Sequence, residues 1–136
     1  MISAHQQEQI IKTILATFPK VVAMYLFGSV ATGTEHKDSD LDLALLSADG
    51  GLPPVQLWEL AQALFPLVGR DVDLVDLQDA STILRLEVIK QGRRLYCSDP
   101  VLCEEFESRV YSDYARLNEE RAAILEDIKQ RGTVHG

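Results

Sequence analysis

Asp40 and Asp42, two aspartates separated by one residue, are the first positions in this chain that can do chemistry as a pair. They alternate with Leu41, Leu43 and Leu45, and in a strand residues two apart point to one face. The leucines therefore turn into a core, and the carboxylates stand side by side on the opposite face. Like charges held together repel, so the pair gains nothing for the fold unless a cation lies between them. Carboxylates together with substrate phosphates are the oxygen ligands that suit Mg²⁺. Ten residues separate Asp40 from the dipeptide Gly28-Ser29. Gly28 permits a sharp turn and a close backbone approach. Ser29 offers a hydroxyl and an N–H at the start of a short turn or helix, a place suited to an anion. Asp-x-Asp alone is a common surface pattern, and Gly-Ser is commoner still. Strand, Gly-Ser, spacer, Asp-x-Asp and second strand in one order are much more specific.

Several elements must position these residues. Val21–Phe27 is apolar and rich in β-branched and aromatic residues, which predicts a buried strand delivering Gly28. A second strand is expected over about Leu41–Leu46. Ahead of both, Ile10, Ile11, Ile14, Leu15 and Phe18 recur at helical spacing over Ser3–Thr17, with Ser3 as N-cap and Pro19 marking the end. After a turn-rich loop, Ala48–Pro54, a helix is predicted over about Val55–Val68, with Leu57, Leu60, Ala61, Leu64 and Phe65 on its buried face and Trp58 at its side. Pro66 falls near its last turn, and Gly69 is a stop. Asp71–Leu77 reads as a strand, Ser81–Lys90 as a helix ended by Gly92, and Arg93–Tyr96 as a short final strand. The longest helix runs from Asp99-Pro100 to about Arg131, and Gly132–Gly136 forms a frayed tail. Its apolar stripe breaks at Arg121. The helix either packs wholly on its own domain or grips a partner with its distal half, because a helix of that length outruns a small core.

The stretch Phe27-Gly28-Ser29, Gly33 and Asp38-Ser39-Asp40-Leu41-Asp42-Leu43 resembles the signature of the DNA polymerase β-type nucleotidyltransferases, and the chain is close in size to their minimal, MNT-type members. The resemblance covers about residues 20–97. It implies an α/β (α+β) fold with a mixed sheet of about four strands flanked by helices, and transfer of a nucleoside monophosphate from an NTP, ATP above all. It implies that Gly28 and Ser29 bind the nucleotide and that Asp40 and Asp42 hold two Mg²⁺ ions. Phosphoryl transfer also needs a base or metal ligand near the attacking oxygen. Asp71 and Asp73 share one strand face and would serve nearly equally, whereas Asp76 points the other way. The resemblance selects Asp73 as the third catalytic and metal-binding carboxylate. One departure concerns arginine: many relatives carry it soon after the serine and before the spacer glycine, where this chain has Val30 and Thr32. A replacement could come from Lys37, Arg93 or Arg94. His36 and Lys37 are otherwise exposed loop residues.

Length and composition fit a single domain with a real core: 136 residues, 46% hydrophobic and 25% charged. There is no apolar run long enough to span a bilayer and no signal-peptide pattern, so a cytoplasmic protein is expected. Cys97 and Cys103 fit two incidental reduced thiols rather than a zinc site or a disulfide framework. The net charge of −8 disfavours a long nucleic acid as substrate and favours a basic protein partner. The resemblance implies what that partner is: minimal members are similar to antitoxins that neutralise a HEPN-type toxin by transferring AMP to its tyrosine, in a hetero-oligomer. A small-molecule nucleotidyltransferase would usually carry an additional substrate domain, for which this chain has no room. A non-catalytic binding module would not need the intact set of Gly28, Ser29, Asp40, Asp42 and Asp73.

Overall fold

Leucine alternation across Leu41–Leu45 decides which way the central sheet faces. The structure, a computed structural model, describes residues 2–34, 36 and 39–131. The elements run α1 (Ala4–Thr17), β1 (Val21–Phe27), α2 (Gly28–Thr32), β2 (Leu41–Ser47), α3 (Pro54–Val68), β3 (Val72–Asp76), α4 (Thr82–Gln91), β4 (Arg93–Cys97) and α5 (Pro100–Gln130). The four strands lie in the order β3-β2-β1-β4. β1 is antiparallel to both β2 and β4, and β2 is parallel to β3. A parallel pair needs a crossover, which α3 supplies. This is the mixed sheet with flanking helices that the resemblance implied.

Each strand divides its residues between two cores. Met24, Leu26, Leu41, Leu43, Leu45 and Leu74 pack with α1 and α3 on one face. Ala23, Tyr25, Phe27, Ala44, Leu46 and Val75 pack with α4 and α5 on the other. α1 starts with a capping box, in which the Ser3 hydroxyl accepts from the Gln6 N–H at 3.0 Å and the Gln6 amide oxygen accepts from the Ser3 N–H at 2.9 Å. Pro66 does not end α3, which continues to Val68. A proline in the last turn forfeits one backbone hydrogen bond, and the burial of Leu60, Ala61 and Leu64 holds the helix despite it. Gly69, at φ +71, then closes it with its N–H on the Phe65 carbonyl. Phe65 itself departs from expectation: it is 48% exposed and lies outside the buried face.

α5 behaves differently along its 31 residues, a length of about 46 Å. Asp99 caps its start by accepting from the Leu102 N–H at 3.1 Å. Cys103 and Val110 are buried, and Glu107 accepts from the Tyr25 hydroxyl and from Arg94, tying the helix to β1 and β4. From Asn118 to Arg131 every residue is exposed, Ile124, Leu125 and Ile128 included. The helix thus leaves the packed body at Asn118, about one turn before the stripe breaks at Arg121. The two thiols are free, with Sγ atoms 3.2 Å apart, a juxtaposition that their spacing in sequence did not reveal. Among the described residues, no helix is long and apolar enough to cross a membrane. The predicted tail, Gly132–Gly136, lies outside the described residues.

Candidate active site

β1 ends at Phe27, and the chain turns at Gly28 with φ +75, a conformation costly to any residue bearing a Cβ. A Cβ there would also collide with Oδ2 of Asp42. Gly28 is therefore glycine for two reasons, and the second puts its backbone directly against a site carboxylate. α2 begins at once, with Ser29 half-buried in its first turn, and Gly33 closes it in the left-handed conformation by donating to the Ser29 carbonyl. Val30, at one of the positions where relatives carry arginine, is buried in the core. Thr32, at the other, is exposed, with its hydroxyl 3.3 Å from the Gly28 carbonyl and 3.0 Å from Oγ1 of Thr34. At the far end of the spacer, buried Ser39 accepts from the His36 N–H at 2.9 Å and donates its own N–H to the His36 carbonyl at 2.9 Å. The reciprocal pair fixes the approach to Asp40.

Asp42 lies opposite Phe27 of β1 on one side and opposite Asp73 of β3 on the other. With Ala44 and Leu46 it faces α4 and α5, and Asp73 faces the same way as Val75. Asp40 stands just before β2, exposed. Burial pushes the Asp42 carboxyl up to about 6, and the negative charges of Asp73, Asp40 and Glu87 add to the effect in that order. The three predicted carboxylates are thus gathered electrostatically on one central residue. Glu87 joins them from α4; nothing in its sequence neighbourhood signalled this, because only the packing of α4 on the sheet brings it there. Asp71, the alternative to Asp73, is not among the charges that act on Asp42; its carbonyl instead accepts from the Leu41 N–H at 2.8 Å. Asp76 is structural, buried and accepting from the Leu52 and Gln78 N–H groups at 2.8 and 3.0 Å.

Among the described residues, no three His, Cys, Asp or Glu side chains close into a metal cage. The donor chemistry nevertheless fits a hard cation. Every group is a carboxylate, and the crowding that raises Asp42 is the repulsion a divalent ion would relieve. Of the basic residues considered for the phosphates, Arg94 is engaged with Glu107 at 3.2 Å, and Lys37 lies outside the described residues. Arg93 is exposed and pairs with Leu26, two positions before Gly28, at the sheet end that carries the site. Arg70, which the sequence reading passed over, extends Nη1 to 3.5 Å from the Ser39 carbonyl, next to Asp40.

Residues 8–101 match the family model described as polymerase beta, nucleotidyltransferase. Protein adenylyltransferase MntA of Shewanella oneidensis is 43% identical over 122 residues, spanning 90% of this chain and 86% of the relative. A crystal structure of a toxin–antitoxin with AMP-PNP superposes with a TM-score of 0.79 at 42% identity, covering 90% of this chain and 98% of the matched one. A solved structure of a tri-AMPylated Shewanella oneidensis HEPN toxin in complex with an MNT antitoxin matches with a TM-score of 0.75 at 38% identity, covering 92% of this chain and 97% of that one.

Proposed function

The chain belongs to the polymerase beta nucleotidyltransferase family, and from that premise we propose that it is a Mg²⁺-dependent protein adenylyltransferase antitoxin, transferring AMP from ATP to a tyrosine of a cognate HEPN-type toxin in the cytoplasm. The observation that carries the reading is Asp42, held against the Gly28 backbone on one side and in register with Asp73 on the other.

In this reading the backbone at Gly28 and the Ser29 hydroxyl hold the β- and γ-phosphates. Asp40, Asp42 and Asp73 hold the Mg²⁺ ions, which when bound supply the positive charge that the triphosphate and the attacked phosphorus require. Asp73 takes the proton from the tyrosine hydroxyl. The phenolic oxygen bonds to the α-phosphorus, the bond from that phosphorus to the bridging oxygen breaks, and pyrophosphate leaves. A phenol, with a pKa near about 10, is easier to deprotonate than an aliphatic alcohol. The chain's contribution is positioning and electrostatics rather than covalent catalysis. The acidity of the chain suits a basic, RNA-cleaving partner, and added phosphates on that partner would repel RNA. The exposed Ile124, Leu125 and Ile128 give the distal half of α5 an apolar stripe with which to hold the toxin.

The test is the intact mass of the toxin after incubation with ATP, Mg²⁺ and this protein. Gain of one or more AMP units, mapped to tyrosine and absent with Asp73→Ala, is expected. An unmodified toxin that the Asp42→Asn variant still inhibits would move the function to simple binding.

A further inference from the structure

β4 reaches the start of α5 through Ser98 and Asp99 alone, and both are fixed. The Ser98 N–H donates to the Val22 carbonyl at 2.9 Å, and Asp99 caps the helix. Cys97, the last residue of β4, pairs with Ala23 of β1. Cys103, near the start of α5, is fully buried, with its Sγ 4.0 Å from the Val22 carbonyl oxygen. Backbone paired on both sides thereby holds the two sulfurs 3.2 Å apart. Closing that gap to a covalent bond asks for about 1 Å of movement.

The two sulfurs differ in what they can do. Burial first, and then the hydrogen bond with Cys97, push the Cys103 thiol up, so it stays protonated. The thiolate is the nucleophile, and a reactive one must also be reached from solvent. Cys97 is the partly exposed member of the pair. The pairing of β1 with β4 shifts register between Met24 and Tyr25, so that Leu95 has no partner opposite it. The extra residue turns Arg94 and Cys97, three apart, to the same face as Tyr25 and Ala23, where an unbroken strand would set them on opposite faces. A guanidinium thus stands near the sulfur that meets solvent, and Cys97 is the foremost charge acting on it.

We propose that Cys97 and Cys103 form a reversible oxidation site, in which a hydroperoxide joins them in a disulfide that fastens the start of α5 to β4. The Cys97 thiolate attacks one oxygen of hydrogen peroxide, the O–O bond breaks, and a sulfenic acid and water result once the released proton is returned. The Cys103 sulfur then attacks the sulfenic sulfur, the S–O bond breaks, and the hydroxide leaves as water with the Cys103 proton. Two thiols lose two electrons and two protons, and one peroxide takes them up to become two waters. A dithiol reverses the bond by exchange. Disulfides in reducing compartments take this transient form. Glu107 ties α5 to β1 and β4 through Tyr25 and Arg94, one turn after Cys103. The bond would add a second fixed point at the base from which the exposed half of the helix projects. The oxidation is independent of AMP transfer.

The experiment uses the full chain, reduced and then treated with a few equivalents of hydrogen peroxide. Its intact mass should fall by about 2 Da, with no thiol left to alkylate and no cross-linked dimer, and dithiothreitol should restore both thiols. The chain has two cysteines, so that mass identifies the bond. Cys103→Ser should leave a sulfenic acid at Cys97 that dimedone traps, whereas Cys97→Ser should leave Cys103 unreacted. Hydrogen exchange at the amides of residues 101–110 should be slower by about fivefold or more in the oxidised protein than in the reduced one. Wild type that keeps both thiols, links only between chains, or proceeds to a sulfinic acid at Cys97 overturns the site, and that result needs neither variant to fold. A disulfide that leaves exchange over 101–110 unchanged overturns the fastening of α5.

Discussion

Replacing Asp42 by asparagine tests whether the carboxylate cluster exists for a cation rather than for the fold. In the apo protein, burial first, and then the charges of Asp73, Asp40 and Glu87, raise the Asp42 carboxyl from 3.8 to about 6. At about 1.4 kcal/mol per unit, a change of that size corresponds to about 3 kcal/mol of destabilisation by the ionised group. Asp42 is only half-buried, and solvent screening reduces this to about 1 kcal/mol. Because the folded value lies above the unfolded one, the folded chain binds this proton more tightly. The associated stability is fully present below about pH 4 and is lost as pH rises through about 6. Asp42→Asn should therefore melt about 4 °C above wild type at pH 7.5 in EDTA, with the difference shrinking to nothing near pH 4. The same variant should lose AMP transfer and most of the stabilisation that Mg²⁺-ATP confers on wild type. Thermal melts at three pH values, with and without Mg²⁺-ATP, measure both. A variant that melts below wild type at pH 7.5, or a difference that does not change with pH, would refute the reasoning and make Asp42 a structural residue.

Further outcomes follow from the same geometry. Gly28→Ala should destabilise the protein by about 2 kcal/mol, from the left-handed backbone and the collision with Asp42; in a denaturant-unfolding cycle, the loss should shrink when Asp42 is also replaced by serine. Isothermal titration should show ATP binding that is weakened by Ser29→Ala and abolished by EDTA, since Val30 and Thr32 stand where relatives place arginine; undiminished affinity in EDTA would assign the triphosphate to a basic side chain such as Arg93. Ile124→Glu with Ile128→Glu should weaken toxin association by about tenfold or more while leaving the melting temperature within about 1 °C, because both side chains are exposed in the isolated chain.

Most of the strand and helix pattern was legible because local chemistry declares it. Ser3, Pro19, Gly69, Ser81, Gly92 and Asp99-Pro100 punctuate the chain where elements begin and end, and the alternation of leucine with aspartate across Asp40–Leu45 fixed which face of β2 is apolar. Pro66 carries a local penalty inside the last turn, and the burial of Leu60, Ala61 and Leu64 outweighs it, so α3 runs to Val68 and stops at Gly69 as the spacing predicts. Phe65 shows the limit of such signals, since helical spacing marks a residue as apolar-faced without saying whether anything lies opposite.

The residue types and spacing of Gly28-Ser29 and Asp40-x-Asp42 were sufficient by themselves to indicate metal-assisted phosphate chemistry, because that chemistry depends on which groups stand two residues apart on a strand. The choice between Asp71 and Asp73 was different. Asp73 stands on β3 and Asp71 just before it, and the parallel register of β2 with β3 sets Asp73 opposite Asp42. Glu87 entered the site for the same reason: it sits on a helix whose rotation about the sheet is decided by packing between distant segments, and no window of sequence contains both partners of such a contact.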